Sequence, residues 1–135
     1  FEMLKAAKKA AIGSNLKFLA VSILTSWNKK DLKQIGINRP IKDQVKILTK
    51  LAIKSNMSGV ISSPQDIGLV RSVSKKIDIF CPGIRGENKK HDQKRTLSYK
   101  EFNKISDKNS YAVIGRPIYN GDPLKNIKKI INSIR

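Results

Sequence analysis

The chain is poor in the residues that build metal and redox sites, with one cysteine, Cys81, and one histidine, His91, in 135 positions. That scarcity excludes an internal disulfide framework, a cysteine-rich zinc site and a multi-histidine metal centre. No apolar run approaches the roughly 20 residues of a membrane span, the longest being stretches such as Phe18-Leu19-Ala20-Val21. The first residues, Phe1-Glu2-Met3-Leu4-Lys5, lack the basic, apolar and small order of a secretion signal. What remains is the expectation of a soluble, cytoplasmic, globular chain of about one modest domain, or a piece of something larger. Its 39% hydrophobic content is enough for a core.

Acidic residues are scarce as well. Ten Asp and Glu face 28 Lys and Arg, giving a net charge of +18. Such a balance raises nucleic acid as a partner, because neutralised phosphates release counterions. Two features argue against it. The lysines are spread over nearly every helical segment with no run longer than two, and the few aromatics do not interleave with them as a stacking platform requires. A small anionic ligand explains the charge at least as well.

Hydrophobic periodicity divides the chain into alternating units. Glu2 to Ile12 reads as a helix ended by Gly13-Ser14-Asn15. Lys17 to Leu24 is nearly all apolar, as a strand covered on both faces should be. Asn28 to Ile35 is a short helix, and Pro40 opens an amphipathic one with Ile41, Val45, Leu48 and Ala52 on one face. The pattern then repeats: strand Gly59 to Ser62, helix Pro64 to Val73, and strand Asp78 to Cys81 stopped by Pro82-Gly83. After a long polar loop from Gly83 to about Leu97, Ser98 caps a helix reaching Ile105, with Glu101 in the capping-box position. Tyr111 to Ile114 is the fourth strand. Pro123 opens the last helix, in which Leu124, Ile127, Ile130 or Ile131, and Ile134 are expected to face inward.

Four strand-then-helix units of about 25 to 35 residues argue for an α/β fold with a parallel sheet. Four are too few to close an eight-stranded barrel. The opening helix has no strand before it, so the chain, residues 1–135 as a single α/β region, reads as half of a larger architecture.

In parallel α/β folds, ligands sit beyond the carboxyl ends of the strands. Here those ends are Leu24-Thr25-Ser26, Ser62-Ser63, Pro82-Gly83-Ile84-Arg85 and Gly115-Arg116-Pro117. Two carry an arginine beside a glycine-containing turn, where a guanidinium can present a planar fork to phosphate. In a barrel the usual phosphate site follows strands 7 and 8; if these strands are the last four, Arg85 and Arg116 stand there. Either alone could be a solvated turn arginine, but the pair favours the phosphate reading. The loop from Gly83 to Leu97 is either a solvated basic loop or a lid, with Gln93 offering a neutral amide to a ligand. Thr25 and Ser26 present hydroxyls at the ligand end, or cap the following helix. His91 lacks metal-binding or catalytic neighbours, and Cys81 reads as a buried small hydrophobe. Asp31-Leu32-Lys33 lies in a helix and reads as a surface charge pair. No constellation of carboxylates and lysine suits acid–base work.

Five segments occur in an order that resembles one family: Leu19-Ala20-Val21-Ser22-Ile23-Leu24-Thr25-Ser26, Ser58-Gly59-Val60-Ile61-Ser62-Ser63-Pro64-Gln65, Pro82-Gly83-Ile84-Arg85, Asp92-Gln93-Lys94-Arg95 and Val113-Ile114-Gly115-Arg116-Pro117-Ile118. Over essentially its whole length the chain resembles the C-terminal half of bacterial orotidine 5′-phosphate decarboxylase, the last enzyme of UMP synthesis. The resemblance implies a TIM-type (β/α)8 barrel of which this is a half-barrel covering about the last four βα units. It also implies a homodimer and no cofactor. Thr25 would contact the pyrimidine end of the substrate; Arg85, Gln93, Gly115 and Arg116 would hold its 5′-phosphate, Gln93 from the closing loop.

The departures are informative. Gly86 stands where the family usually has proline, and His91 precedes Asp92-Gln93 where glycine is usual. The family's catalytic Asp-x-Lys-x-x-Asp signature belongs to the N-terminal half and is absent here; Asp31-Leu32-Lys33 is no substitute, because Gly36 follows instead of the second aspartate. No catalytic residue is therefore assigned. The expected partners are orotidine 5′-phosphate or UMP, and an N-terminal half or second subunit. The competing readings are a non-catalytic module binding a phosphate ligand or nucleic acid, and a related barrel lyase acting on a sugar phosphate.

Overall fold

The alternation of short apolar runs with amphipathic stretches resolves into six strands and seven helices in a computed structural model that describes residues 1–86 and 94–134. In chain order they are α1 (Glu2–Ala10), β1 (Leu19–Val21), α2 (Lys29–Gln34), α3 (Ile41–Lys54) and β2 (Gly59–Ile61). A 3-10 turn (Pro64–Asp66) leads into α4 (Ile67–Val73), followed by β3 (Asp78–Pro82), β4 (Ile84–Arg85) and β5 (Leu97–Ser98). The chain continues through α5 (Tyr99–Ile105), β6 (Ser110–Val113), α6 (Arg116–Tyr119) and α7 (Pro123–Ser133).

Strands β1, β2, β3 and β6 form a parallel sheet in that order, and β4 pairs with β5 in a separate two-stranded sheet. Every crossover thus steps to the adjacent position. A doubly wound sheet would reverse direction at a switch point; consecutive order is that of neighbouring staves in a barrel wall. Val21, Ile61, Phe80 and Tyr111 align across the four strands in one register row.

Local chemistry sets the boundaries. Asn28 caps α2 through a full capping box: its Oδ1 accepts from Lys30 N (2.8 Å) and Asp31 N (3.3 Å), while Asp31 Oδ2 accepts from Asn28 N (2.6 Å). Ser98 and Glu101 do the same for α5, at 3.2 and 2.8 Å. Gly83 turns the chain out of β3 at φ +90°, a conformation that favours glycine. Gly59 is needed for a different reason. A Cβ there would lie 2.8 Å from the Asp78 carbonyl oxygen, so only glycine permits this approach of β2 to β3.

The sheet's two faces differ sharply. On the helix side Ala20, Val60, Ile79 and Cys81 are buried and join Leu32, Val45, Ala52, Ile67, Val70 and Phe102 in the core. On the other side the row Val21, Ile61, Phe80 and Tyr111 is only partly covered, with the Phe80 and Tyr111 rings stacked at 4.9 Å. Among the described residues nothing pairs with the outer edges of β1 and β6. Half of a barrel wall has this character: outer layer in place, lumen face open.

Three expectations are adjusted. The segment Pro64 to Val73 is a 3-10 turn followed by an α-helix, because Ser63 Oγ caps Gln65 N and the helical register restarts at Asp66. At the two ends of the expected Gly83–Leu97 loop, β4 and β5 pair in parallel, Ile84 opposite Leu97 and Arg85 opposite Ser98. In α7 only Ile130 is buried; Leu124 is 73% and Ile131 63% exposed. That helix packs on α5 and α6, and most of its apolar stripe stays in solvent. No helix among the described residues is long and apolar enough to cross a membrane.

Candidate functional site

Because the four strands run parallel, their carboxyl ends lie along one rim. Thr25 stands four residues beyond Val21, Arg85 three beyond Pro82, and Arg116 three beyond Val113, where Pro82 and Val113 are register partners. The structure therefore brings Thr25, Arg85, Gly115 and Arg116 to the same end of the sheet. Gln93 and His91 lie outside the described residues.

Arg85 is buried in β4, and its Nη1 donates to the Ile84 carbonyl at 3.0 Å. It is near enough to Tyr99 to oppose the effect of burial, which lifts that phenol above its ordinary value. Gly115 opens α6 and its carbonyl accepts from Ile118 N at 2.8 Å. A Cβ on Gly115 would meet nothing nearer than Tyr119 Cε1 at 3.6 Å, an ordinary contact, so packing leaves the space beside it open. Thr25 is buried, and its carbonyl accepts from both Lys94 N and Arg95 N at 3.1 Å.

Beneath Thr25 lies a polar network that the sequence did not disclose. Arg95 Nη1 meets Asp66 Oδ2 at 2.6 Å, and Nη2 donates to the carbonyls of Ile23 (2.9 Å) and Leu24 (3.4 Å). The Arg95 carbonyl accepts from Ser63 Oγ at 3.0 Å, and Gln65 Nε2 donates to the Thr96 carbonyl at 3.0 Å. Ser22 Oγ donates to Ser62 Oγ at 2.9 Å, which in turn reaches Asp66 Oδ2 at 3.4 Å. Burial raises the Asp66 carboxyl above its ordinary value, against the pull of Arg95 and the Ser62 hydroxyl. The guanidinium stays protonated, so the carboxylate is its counterion. Arg95 belongs to the Asp92–Arg95 segment singled out in the sequence, yet only Gln93 drew attention there. An acid that follows Ser-Ser-Pro by two positions was the available hint, but its partner is 29 residues away in another unit.

The charge pair expected within Asp31-Leu32-Lys33 is corrected: Asp31 bridges Lys94 Nζ at 2.8 Å while serving the α2 cap, and the Lys94 hydrogen bond chiefly holds its carboxyl low. Cys81 is fully buried, and desolvation pushes its thiol up to about 12, so it is no nucleophile. Among the described residues no group of three His, Cys, Asp or Glu could hold a metal.

Residues 1–130 match the model of the orotidine 5′-phosphate decarboxylase / HUMPS family. The chain belongs to this family. Orotidine 5′-phosphate decarboxylase of Wolbachia pipientis subsp. Culex pipiens is 38% identical over 98% of the chain and 59% of its own length. That of Actinobacillus pleuropneumoniae is 41% identical over 87% of the chain and 51% of its own length. The crystal structure of orotidine 5′-phosphate decarboxylase from Lactobacillus acidophilus superposes with a TM-score of 0.76 at 28% identity, covering 98% of this chain and 58% of that one. The chain thus spans a little over half the length of the family members it matches, and its parallel sheet is a half-barrel of the family's TIM fold.

A cleft lined by Lys5, Lys8, Lys9 and Lys54 lies at the opposite end of the half-barrel, where α1 and α3 terminate. Lys8, Lys9 and Lys54 complement two helix C-termini, Lys5 bridges Glu2 at 3.3 Å, and all are remote from the strand carboxyl ends.

Proposed function

We propose that this chain, acting as one α/β region, supplies the phosphate-holding half of an orotidine 5′-phosphate decarboxylase, which converts orotidine 5′-monophosphate to UMP and CO2. The observation that carries the reading is the gathering of Thr25, Arg85, Gly115 and Arg116 at one rim of the parallel sheet in a member of this family. In this reading Arg85 and Arg116 present guanidinium forks to the 5′-phosphate, with the open space at Gly115 admitting it and the Gln93 amide closing over it. The Thr25 hydroxyl faces the pyrimidine. The phosphate is remote from the bond that breaks, so its binding energy serves to orient the ring and to drive closure around it. The lysine that protonates the C6 carbanion and its flanking aspartates come from the N-terminal half. That half also covers the open sheet face, whether it precedes this chain in one polypeptide, arrives as a separate one, or is replaced by a second copy that lacks the lysine. The assembled enzyme is a cytoplasmic dimer.

Calorimetric titration of UMP into the purified chain, beside Arg116→Ala, tests this. Binding is expected, with a loss of about tenfold or more in the variant, as for a charged hydrogen bond removed. Binding that Arg116→Ala leaves untouched, or that collapses steeply with added salt, would support the polyanion module instead.

A further inference from the structure

We infer that Arg95 is a positioning residue for the pyrimidine side of the site, setting the turn that carries Thr25. The inference rests on the function proposed above. After Ser22, whose N–H donates to the Ile61 carbonyl at 2.9 Å, the chain leaves the sheet, and Ile23, Leu24 and Thr25 present three consecutive carbonyls. Two residues receive them. Arg95 Nη2 donates to Ile23 and Leu24, and the backbone N–H groups of Lys94 and Arg95 both donate to Thr25. The turn adds one internal bond, from Trp27 N to the Leu24 carbonyl at 3.0 Å.

Arg95 is itself held from three sides. Asp66 fixes its guanidinium, Ser63 Oγ fixes its carbonyl, and the neighbouring Thr96 carbonyl is taken by Gln65. The ends of β1 and β2 and the segment leading into β5 therefore share one buried arginine, 8% exposed. A lysine could keep the charge opposite Asp66 but could not fork to two further carbonyls. Rigid support of this kind matters because a displacement of about 1 Å in a contact group can cost two orders of magnitude in a binding or catalytic geometry. Arg95 touches no substrate in this account; it acts through the placement of Thr25.

The test is a pair of titrations on the wild-type chain, Arg95→Lys, Thr25→Ala and the double variant, with UMP and with ribose 5-phosphate, which lacks the pyrimidine. Arg95→Lys should weaken UMP about tenfold and ribose 5-phosphate less than about twofold. Its effect on UMP should largely vanish once Thr25 is already alanine, the non-additivity expected of residues acting through one contact. Equal losses on both ligands, or additive losses, would overturn the inference and leave Arg95 a structural residue. Asp66→Glu, which keeps the charge but moves the fork, should repeat the pattern if Arg95→Lys does not fold. Should the wild type bind neither ligand, the functional reading fails for the isolated chain, and the emission of Trp27, the one tryptophan of the sequence, decides the inference separately. A shifted Trp27 spectrum in Arg95→Lys with unchanged helix content supports it; an identical spectrum overturns it.

Discussion

The two ends of the sheet are each held by an arginine–aspartate pair, and the pairs are not alike. At the amino ends of the strands Arg71 Nη2 and Nε meet Asp107 at 2.9 and 2.5 Å, while Nη1 and Nη2 also donate to the carbonyls of Ile77 (2.7 Å) and Asn109 (3.1 Å). At the carboxyl ends Arg95 meets Asp66 and reaches back to β1. The arginine side chains are equally covered, but the Asp107 side chain is 42% exposed and that of Asp66 only 7%. The bidentate Arg71 fork, helped by the Ser110 hydroxyl and the Asn109 N–H, holds the Asp107 carboxyl well below its ordinary value, whereas burial lifts Asp66. Barrel folds commonly keep stability at the amino face and function at the carboxyl face. Here the same two residue types stand at both faces, and the solvent exposure of the acid separates them.

The largest effect expected from breaking this comparison is at Asp66. Asp66→Leu removes the acceptor of the buried Arg95 guanidinium altogether and should cost about 3–5 kcal/mol in urea denaturation. Asp107→Asn should cost about 1 kcal/mol, because solvent screens the pair and Arg71 keeps its backbone carbonyls. A cost at Asp107 equal to that at Asp66 would erase the distinction. The double change Asp66→Leu with Arg95→Met sharpens it: well-packed apolar replacements should recover most of the stability, yet UMP binding should stay impaired. Recovery of both would reduce the carboxyl-end pair to a structural one.

The pH dependence follows with opposite signs. Asp107 has a folded value below its unfolded 3.8, so its stabilisation is present above pH 4 and fades as pH falls through the folded value. Asp66 has a folded value above 3.8, so stability declines as pH rises from there through the folded value. Denaturation midpoints should therefore lose the rising acid limb in Asp107→Asn and the falling limb just above it in Asp66→Asn. A wild-type profile flat between pH 3 and 6 would contradict both assignments.

The sequence disclosed local features best. The Ser98–Glu101 capping box, the Pro40 and Pro123 helix starts and the alternation of strands with helices depend on residues within a few positions of one another, and all appear in the fold. The order of strand-end motifs was equally legible, so the family and the rim residues followed from it. What stayed hidden depends on long-range partners. The Asp66–Arg95 pair joins two units, and neither residue's burial shows in its neighbours. The exposed stripe of α7 misled for a related reason: its periodicity marks the face to be buried but not whether this chain provides the cover. Gly59 could be read as a strand start, while its contact with the Asp78 carbonyl required the register of β2 against β3.

The row formed by Val21, Ile61, Phe80 and Tyr111 gives the molecule an oily concave side inside a shell carrying a net charge of +18. Such a particle behaves as a charged colloid with one sticky face. In dilute buffer mutual repulsion reaches far enough to keep copies apart, but at about 0.15 M salt it is screened beyond roughly 8 Å and the oily faces can meet. Light scattering from the purified chain should then grow with added salt, the reverse of what a polyanion complex would do, and Phe80→Ser should blunt the rise. The same charge that looks like a lure for nucleic acid would in that case work as a dispersant, keeping an unfinished barrel wall from closing on the wrong copy.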